Sequence, residues 1–213
     1  MPMTAMFQAL FQALFQSKCF HCKTQVAEST LGLCSLCSLE MTLIARELPS
    51  SQYIKSMWAL APYHGPVGSL IRVGKYSSKR RIFQELGHLM AECALDLPSF
   101  DAIVHVPTPW HRRIFRGFDQ AEILADAIQQ FLEVPHHKIL RRHGFDRQAL
   151  KTKAERQRQF VGRFSASDIA LPKRILLVDD TITTGATLES CAAVLYQQGA
   201  MEIIGFALSS TKL

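Results

Sequence analysis

Two adjacent acids, Asp179 and Asp180, stand between four apolar residues and a loop of small and hydroxyl-bearing residues in ILLVDDTITTGAT, Ile175 to Thr187. Carboxylates at the carboxyl end of a parallel strand face a ligand crevice, where they can accept hydrogen bonds from the vicinal diol of a ribose. The main-chain N–H groups of Thr183 to Thr187 can surround a phosphate, and Gly185 lets the chain approach it closely. The small and hydroxyl-bearing residues are Thr181, Thr183, Thr184, Ala186 and Thr187. The stretch therefore predicts a site for a phosphorylated ribose.

Three other interpretations of the acid pair explain less of the stretch. A Walker-type phosphate loop requires Gly-Lys-Ser/Thr, which does not occur in this sequence. Acid pairs hold Mg2+ in receiver domains, but there the acids come early in the chain. A helix N-cap accounts for one aspartate, but not for two acids followed by T-x-T-T-G-A-T. The ribose phosphate site stays the preferred interpretation.

Four cysteines near the N-terminus form a second chemical pattern, in which two C-x2-C pairs are separated by eleven residues. The set is Cys19, Cys22, Cys34 and Cys37. Two such pairs supply four thiolates, which bind Zn2+ tetrahedrally and leave no open coordination position. The spacing predicts a structural zinc site that stabilises a segment too small for its own core. A thioredoxin-like redox pair would need only one C-x-x-C. Cys93 and Cys191 lie on apolar helix faces, which is typical of core residues.

The order of predicted elements indicates an α/β fold with a mainly parallel sheet, because strands alternate with helices. The predicted strands are IKSMWALAP, DAIVHVP, KILRR, RILLVDD and EIIGFALSS, and the predicted helices are KRRIFQELGHLMAECAL, FDQAEILADAIQQFL and TLESCAAVLYQQGA, with a short helix after Gly65-Pro66. A further helix is predicted over SLEMTLIAREL, ending at Pro49. We predict an N-terminal part, residues 1–50, with an amphipathic helix and the zinc module, and an α/β domain over residues 51–213.

Composition and charge narrow the classes of function. The chain has 213 residues, 48% of them hydrophobic, and a net charge of +6, which is compatible with an anionic partner. No apolar run reaches the ~20 residues of a membrane-spanning helix. The first residues repeat Phe and Leu at helical spacing without a basic start, which predicts a packed amphipathic helix and not a signal peptide. A membrane-surface helix is the weaker alternative, since no Lys or Arg precedes Lys18. We expect a cytoplasmic, reducing environment and no disulfide framework.

The stretch LLVDDTITTGAT resembles the phosphoribosyl-pyrophosphate (PRPP) signature of type I phosphoribosyltransferases. The four-cysteine motif, YHGPVGSLIRVGKY, VHVPTPWHRRIFRGFDQAEILA and ERQRQFVGRF resemble the ComF family of competence-associated, phosphoribosyltransferase-like proteins. The resemblance spans nearly the whole chain. It implies a type I phosphoribosyltransferase-like fold, a PRPP site served by Mg2+, and a structural Zn2+. It also implies a role in DNA uptake and natural transformation, with single-stranded DNA and a helicase or recombination mediator of the competence machinery as partners.

The resemblance also indicates where a pyrophosphate would bind. The stretch VPTP resembles the loop after the first core strand of the family, and the arginines that follow it can reach phosphates. Arg116 is preferred over Arg112 and Arg113 because it belongs to the R-G-F-x-Q motif; a solvated helix start is the alternative role of these arginines. The pyrophosphate candidates are Pro107, Thr108, Arg116 and, in second rank, Lys75 in GKY.

Two positions depart from the family pattern. Asp119 replaces asparagine in R-G-F-D-Q, and Gln159 replaces asparagine three residues after Arg156. Asp119 adds negative charge near the expected anion site, and an N-cap of the following helix is an equally good role for it.

A basic segment from Lys138 to Arg163 carries nine Lys or Arg residues against two acids. Such a run is usually a solvated face, but its place ahead of the aspartate strand also suits a loop that closes over pyrophosphate or contacts nucleic acid. The nucleic-acid candidates are Arg147, Lys151, Lys153, Arg156 and Arg158. Aromatic residues for base stacking are few, with Phe145 and Phe160 inside the segment and Trp110 outside it. We therefore expect phosphate contacts without sequence preference.

The sequence and the resemblance are compatible with two functions, and they do not decide between them. The first is a competence protein that handles single-stranded DNA and keeps a PRPP-binding site. The second is an active Mg2+-dependent phosphoribosyltransferase that acts on an unidentified base or amine by positioning and charge stabilisation. The resemblance favours the first function and leaves catalysis open.

Overall fold

The computed structural model describes residues 17–26, 31–143 and 164–213. The predicted amphipathic helix before Lys18 and the predicted nucleic-acid residues Arg147, Lys151, Lys153, Arg156 and Arg158 lie outside the described residues, as does Gln159. Within the described residues, no helix combines the length and the apolar character needed to cross a membrane.

The centre of the protein is a five-stranded sheet in the order β3-β4-β9-β8-β5. Its strands are β3 (Arg46–Leu48), β4 (Ser56–Pro62), β5 (Ala102–His105), β8 (Arg174–Ile182) and β9 (Glu202–Ser210). All neighbours pair in parallel except β3, which runs antiparallel to β4 at one edge. The inner strands are apolar on both faces, as in sheets that helices cover on both sides. The predicted mainly parallel α/β fold is confirmed.

Helices cover the two faces and divide the core. On one face, α2 (Pro66–Tyr76), α3 (Arg80–Cys93) and α5 (Gln120–Leu132) pack against side chains such as Leu176 and Val178. On the other face, α6 (Ala186–Gln197) packs against the alternate residues, such as Ile175 and Leu177. Successive strand residues point to opposite faces, and both faces are covered, which explains why the four residues from Ile175 to Val178 are all apolar. A seven-residue helix, α4 (Trp110–Arg116), has no buried residue.

Two short strands outside the central sheet, β6 (Leu140–Arg142) and β7 (Phe164–Ala166), pair antiparallel with each other. The strand predicted at KILRR is therefore present, but it belongs to a separate two-stranded sheet. This two-stranded sheet packs on the same face as α6 through Leu140 and Phe164, and it places Arg142 at the carboxyl ends of the central strands.

The helix predicted over SLEMTLIAREL is wrong. Only a short helix, α1 (Ser35–Leu39), precedes an extended segment that leads into β3. Met41, Leu43 and Ala45 pack against the core while the residues between them are exposed, which is the two-residue period of a strand. Pairing with β4 at the sheet edge outweighs the helical propensity of these residues.

The four-cysteine segment lies against α2. It contains two-residue strands, β1 (Ser17–Lys18) and β2 (Gln25–Val26), which pair antiparallel. Cys19, Leu33 and Cys37 are buried in the same apolar cluster as the inner sides of α2 and α3.

The division of the chain into two parts at residue 50 stays a prediction.

Candidate functional site

The acid pair lies at the carboxyl end of β8, which continues through Asp179 and Asp180 to Ile182. Asp180 is buried, with 8% of its surface exposed, and its Oδ2 lies 2.7 Å from Lys75 Nζ. Lys75 comes from the last turn of α2, where a cation also suits the helix dipole. The structure thus brings together a predicted ribose ligand and a predicted pyrophosphate ligand that are 105 positions apart in the chain.

The loop after the acids is a tight turn into α6. Gly185 has φ +88°, in the left-handed region that favours glycine, and it precedes the first residue of the helix. The main-chain N–H groups of Thr183, Thr184 and Gly185 have no acceptor among the described residues, whereas the N–H of Ala186 is donated to Thr184 Oγ1 at 3.2 Å. Unpaired N–H groups at a helix start form an anion-binding concavity. The geometry fits the phosphate role that the sequence predicts for this loop.

The opposite wall of the site is the loop Val106–Pro109 together with α4. Thr108 is held by Asp119, whose Oδ2 accepts the main-chain N–H of Thr108 at 2.7 Å and whose Oδ1 lies 3.0 Å from the Thr108 hydroxyl. Asp119 also caps α5 by accepting the N–H of Glu122 at 3.4 Å. The N-cap interpretation of this unusual aspartate is confirmed, and the same side chain fixes the loop that carries Pro107 and Thr108.

Gln120 is a site residue that sequence reasoning did not select. It is buried, with 1% of its surface exposed, and its Oε1 lies 2.9 Å from the Thr108 hydroxyl. Its Nε2 has no hydrogen-bond partner among the described residues, although it is buried. A buried amide nitrogen without a partner is costly, so the position suits a ligand that offers an acceptor. Gln120 ends the R-G-F-D-Q motif, so the motif that selected Arg116 could also have selected it.

These elements enclose one cleft of about 120 Å3, referred to below as the cleft. Its lining residues are Lys75, Val106, Pro107, Thr108, Pro109, Arg112, Arg116, Gln120, Arg142, Asp179, Asp180 and Thr187. A smaller adjoining pit is lined by Thr181, Thr183, Gly185 and Thr187 together with Asp179 and two apolar residues of β8 and α6. Cations stand on one side of the carboxylates and the N–H groups of the loop on the other.

The structure does not bring every predicted residue to the cleft or the pit. Thr184 and Ala186 line neither; the carbonyl oxygen of Thr184 instead accepts Lys212 Nζ at 3.2 Å. Thr181 lies in the strand, and its hydroxyl is 3.2 Å from Ser209 Oγ. The arginine that the sequence ranked lower, Arg112, lines the cleft beside Arg116, and Arg142 joins them from β6.

Burial gives the acid pair unusual electrostatics. Burial and the neighbouring carboxylate of Asp180 raise the pKa of Asp179 to about 8. Burial also lowers the pKa of Arg116. Asp179 is therefore the carboxyl of the pair that resists ionisation, and a metal ion at this position would favour its ionised form.

We expect one aspartate carboxyl of the ligand-free protein to titrate at about pH 8. Carbon-13 NMR of the carboxyl groups measures this; the resonance should vanish in Asp179→Asn and titrate lower in Asp180→Asn, which removes the neighbouring charge. The raised pKa also affects folding, because the folded state then binds more protons than the unfolded state between about pH 4 and pH 8. The stability contribution of Asp179 is thus present at low pH and is lost as the pH rises through about 8. If no aspartate titrates above about pH 5, the carboxyl pair is not coupled as described.

The four cysteine sulfur atoms lie within 4.8 Å of one another, and Cys22 Sγ is 3.6 Å from Cys34 Sγ. Burial alone would raise the pKa of Cys19, but N–H groups of Cys34, Cys22 and His21 directed at its sulfur lower it to about 6. Hydrogen bonds from Thr24 lower the pKa of Cys22. Burial raises the pKa of Cys37 to about 12, so this thiol depends most on a cation to ionise. The donor set fits a closed tetrathiolate zinc site.

The α4 face, formed by Trp110, Ile114 and Phe115, is an exposed apolar surface beside the cleft. These side chains are 64%, 73% and 74% exposed, respectively. Arginines of the same helix, Arg112 and Arg116, line the cleft. The described part of the chain therefore places aromatic rings and cations side by side at the mouth of the site.

Comparisons with known proteins give relatives over most of the chain. No family model matches the chain. It is 27% identical to competence protein F of Haemophilus influenzae, over 87% of this chain and 93% of that protein. It is 26% identical to DNA utilization protein YhgH of Escherichia coli, over 91% and 96% of the two chains. It is 34% identical to competence protein ComFC of Bacillus subtilis, over 50% of this chain and 43% of that protein.

Solved structures with a similar fold include two proteins named for phosphoribosyl chemistry. Glutamine PRPP amidotransferase of B. subtilis aligns over 62% of this chain and 27% of its own, at 20% identity and a TM-score of 0.44. Adenine phosphoribosyltransferase of Thermoanaerobacter pseudethanolicus aligns over 80% and 86% of the two chains, at 17% identity and a TM-score of 0.41. With scores below 0.5, these likenesses add nothing to the geometry of the cleft.

Proposed function

Because the chain belongs to the ComF family, we propose that it serves DNA uptake and natural transformation in the cytoplasm, with the cleft as a binding site for PRPP and Mg2+. The family assignment supports a role in competence. The main support for PRPP as the ligand is the composition of the cleft. Two carboxylates lie there between a group of cations and a loop of unpaired N–H groups.

Each part of PRPP finds a matching group in this arrangement. The 2- and 3-hydroxyls of the ribose would donate to Asp179 and Asp180. The 5-phosphate would accept from the loop N–H groups at the start of α6. The pyrophosphate would meet Lys75, Arg112 and Arg116, while the unpaired Nε2 of Gln120 would donate to one of its oxygens.

Mg2+ fits the same carboxylate end of the site. This ion binds proteins through one or two carboxylates and keeps substrate phosphates as further ligands. Asp179 and Asp180 supply carboxylate oxygens beside the position proposed for the pyrophosphate. When bound, the ion would neutralise pyrophosphate charge; the side chains of the cleft would orient the ligand and exclude water around it.

Calorimetric titration with PRPP and Mg2+ tests the ligand. We expect saturable binding, and we expect ribose 5-phosphate to bind at least about 10-fold more weakly because it cannot reach the cations. Replacing Gln120 by leucine should weaken PRPP binding by about 10- to 100-fold, the value of one hydrogen bond to a charged group, with little change for ribose 5-phosphate. Equal binding of the two ligands would argue against a pyrophosphate subsite.

Handling of single-stranded DNA is the second part of the proposal. In the described residues it is supported by the α4 face, since exposed aromatic rings can stack on bases while neighbouring arginines contact phosphates. The predicted contacts from Arg147, Lys151, Lys153, Arg156 and Arg158 belong to the same proposal. A helicase or recombination mediator of the competence machinery is the proposed protein partner.

Affinity for single-stranded DNA should fall steeply with salt. Replacing Trp110 by alanine should weaken binding by about 5- to 100-fold at constant salt, the value of one stacked base. A plot of the logarithm of the binding constant against the logarithm of the salt concentration has a slope of about −0.7 per phosphate contact on a single strand. Neutralising Arg156 and Arg158 should therefore make this slope less steep by about 1.4. Phe131→Ala is the matched control, because Phe131 is 49% exposed on α5, away from α4. Equal loss in both aromatic variants would exclude α4 as the stacking surface.

The alternative function is an active phosphoribosyltransferase. It is favoured by the cations that face the carboxylates across the cleft, since they could stabilise departing pyrophosphate. The acceptor would be a base or an amine. Release of pyrophosphate from PRPP with a panel of acceptors measures this activity directly, and binding without release would assign the cleft to ligand sensing.

A further inference from the structure

A largely buried cluster behind the cleft contains His105, at the end of β5, Asp119, the N-cap of α5, and Glu122, in the first turn of α5. The side-chain ligand atoms of these residues lie within 4.8 Å of one another. His105 is 5% exposed and Asp119 is 3% exposed. None of the three residues has a part in the PRPP interactions proposed above, although Asp119 accepts hydrogen bonds from Thr108 of the cleft loop.

A chain of hydrogen bonds sets the direction in which the His105 ring donates. His136 Nδ1 lies 2.8 Å from Asp126 Oδ1, so it donates its hydrogen to the carboxylate. His136 Nε2 then accepts, and its partner at 2.8 Å, His105 Nδ1, must donate. Each ring thus donates through Nδ1 alone, as in one neutral tautomer of histidine. His105 Nε2 is left with a lone pair and no hydrogen.

Among the described residues, no hydrogen-bond donor reaches His105 Nε2, and the neighbouring groups of the cluster are carboxylate oxygens, which are also acceptors. Each carboxylate oxygen keeps a further lone pair beside the hydrogen bonds and ion pairs that it makes with Thr108, Lys138 and Arg113, so the cluster can still offer oxygen ligands together with the ring nitrogen. A histidine whose other ring nitrogen donates into a chain ending in a carboxylate is also the usual second-shell arrangement of a metal ligand.

We propose that His105, Asp119 and Glu122 bind one divalent transition-metal ion of the Mn2+ to Zn2+ series. One imidazole and two carboxylates form a mixed nitrogen and oxygen donor set that suits these ions and not a soft, thiolate-binding one. This site is separate from the cysteine cluster and from Asp179 and Asp180, and it does not depend on the proposed function.

The surroundings of the cluster leave space for an ion with water ligands, and the cations beside it can move away. A cavity of about 110 Å3, lined by Asp119, Glu122 and Asp126, opens beside the cluster and can hold water ligands. Two cations contact Glu122 from outside, Lys138 at 2.8 Å and Arg113 at 3.3 Å. Their side chains are 48% and 57% exposed, so both can turn toward solvent when the ion binds.

The ion would tie the end of β5 to the start of α5. Asp119 holds both polar groups of Thr108, so an ion on the same carboxylate would fix the cleft loop from behind. Binding to the folded protein alone also stabilises it by mass action. We therefore expect Mn2+ to raise the thermal midpoint of the zinc-loaded protein.

Electron paramagnetic resonance with Mn2+ as the probe tests the site, since bound Mn2+ is subtracted from the free signal. The zinc-loaded protein carrying Asp179→Asn and Asp180→Asn should still bind one Mn2+ per chain, with the acid pair of the cleft removed. Adding Glu122→Gln should weaken this binding at least about 10-fold, and adding His136→Gln should weaken it by about 10- to 100-fold through the ring it orients. Glu92→Gln, an exposed acid on α3, is the matched control and should change nothing.

Circular dichroism confirms that each variant is folded before it is titrated. Should His136→Gln fail to fold, Glu122→Gln decides, because glutamine keeps the shape of this half-buried side chain. Loss of all Mn2+ binding in the Asp179→Asn, Asp180→Asn protein would overturn the proposal, as would equal affinity in Glu122→Gln and Glu92→Gln. Neither result bears on PRPP binding, so the two proposals fail independently.

Discussion

A chain in which Asp179 and Asp180 are both replaced by asparagine should bind PRPP at least about 100-fold more weakly than the unaltered chain. Each carboxylate would accept a ribose hydroxyl, and a hydrogen bond to a charged group contributes about 1.5 to 3 kcal/mol, so two give at least about 3 kcal/mol. The change at Asp180 also leaves Lys75 without the partner that lies 2.7 Å away. Calorimetry with PRPP and Mg2+ measures the loss.

The control for this variant is Glu92→Gln with Asp96→Asn. These acids are exposed at the end of α3 and just beyond it, so the same number of carboxyl groups is replaced and the cleft is untouched. We expect the control to bind PRPP as the unaltered chain does. Unchanged binding by the Asp179→Asn, Asp180→Asn variant would remove these carboxylates from the ligand site.

Replacing Cys37 by alanine should release zinc and lower the thermal midpoint by more than about 10 °C. A structural zinc site contributes to folding directly, and in a chain of this size about 1 kcal/mol corresponds to about 2 to 4 °C. Cys37 is also 4% exposed and lies in the apolar cluster shared with α2 and α3, so loss of the metal would open that face of the core. Zinc that is released only when the thiols are titrated with a mercurial identifies the cysteine-bound ion.

Cys191→Ala separates the effect of the metal from the effect of packing. Cys191 is fully buried on α6, so the same substitution leaves a similar cavity without touching the four-cysteine cluster. We expect it to retain zinc and to lower the midpoint by only a few degrees, about 1 kcal/mol. A drop as large as that of Cys37→Ala, with zinc retained in both variants, would contradict a structural metal site.

The features predicted best from the sequence are those encoded by neighbouring residues. RILLVDD with its following loop and the two C-x2-C pairs each bring their functional groups together within about 20 residues, so spacing alone predicts the local geometry. The helix predicted over SLEMTLIAREL was wrong because its residues have good helical propensity, while the edge of β4, which lies elsewhere, determines their conformation. Gln120 was missed because its suitability as a ligand-binding residue depends on a buried, unpaired side-chain nitrogen, and only the packing around the residue creates that condition.

The sequence by itself determined the acid pair and its loop, the four-cysteine cluster and the alternation of strands and helices, because these depend on residue types at short spacing. Only the tertiary structure decided that Lys75, Arg112, Gln120 and Arg142 meet the acids in one cleft. It also decided that His105 faces Asp119 and Glu122 behind it. These groups come from different strands and helices, and their distances follow from the order of strands in the sheet and from how the helices pack on it, which local patterns do not encode.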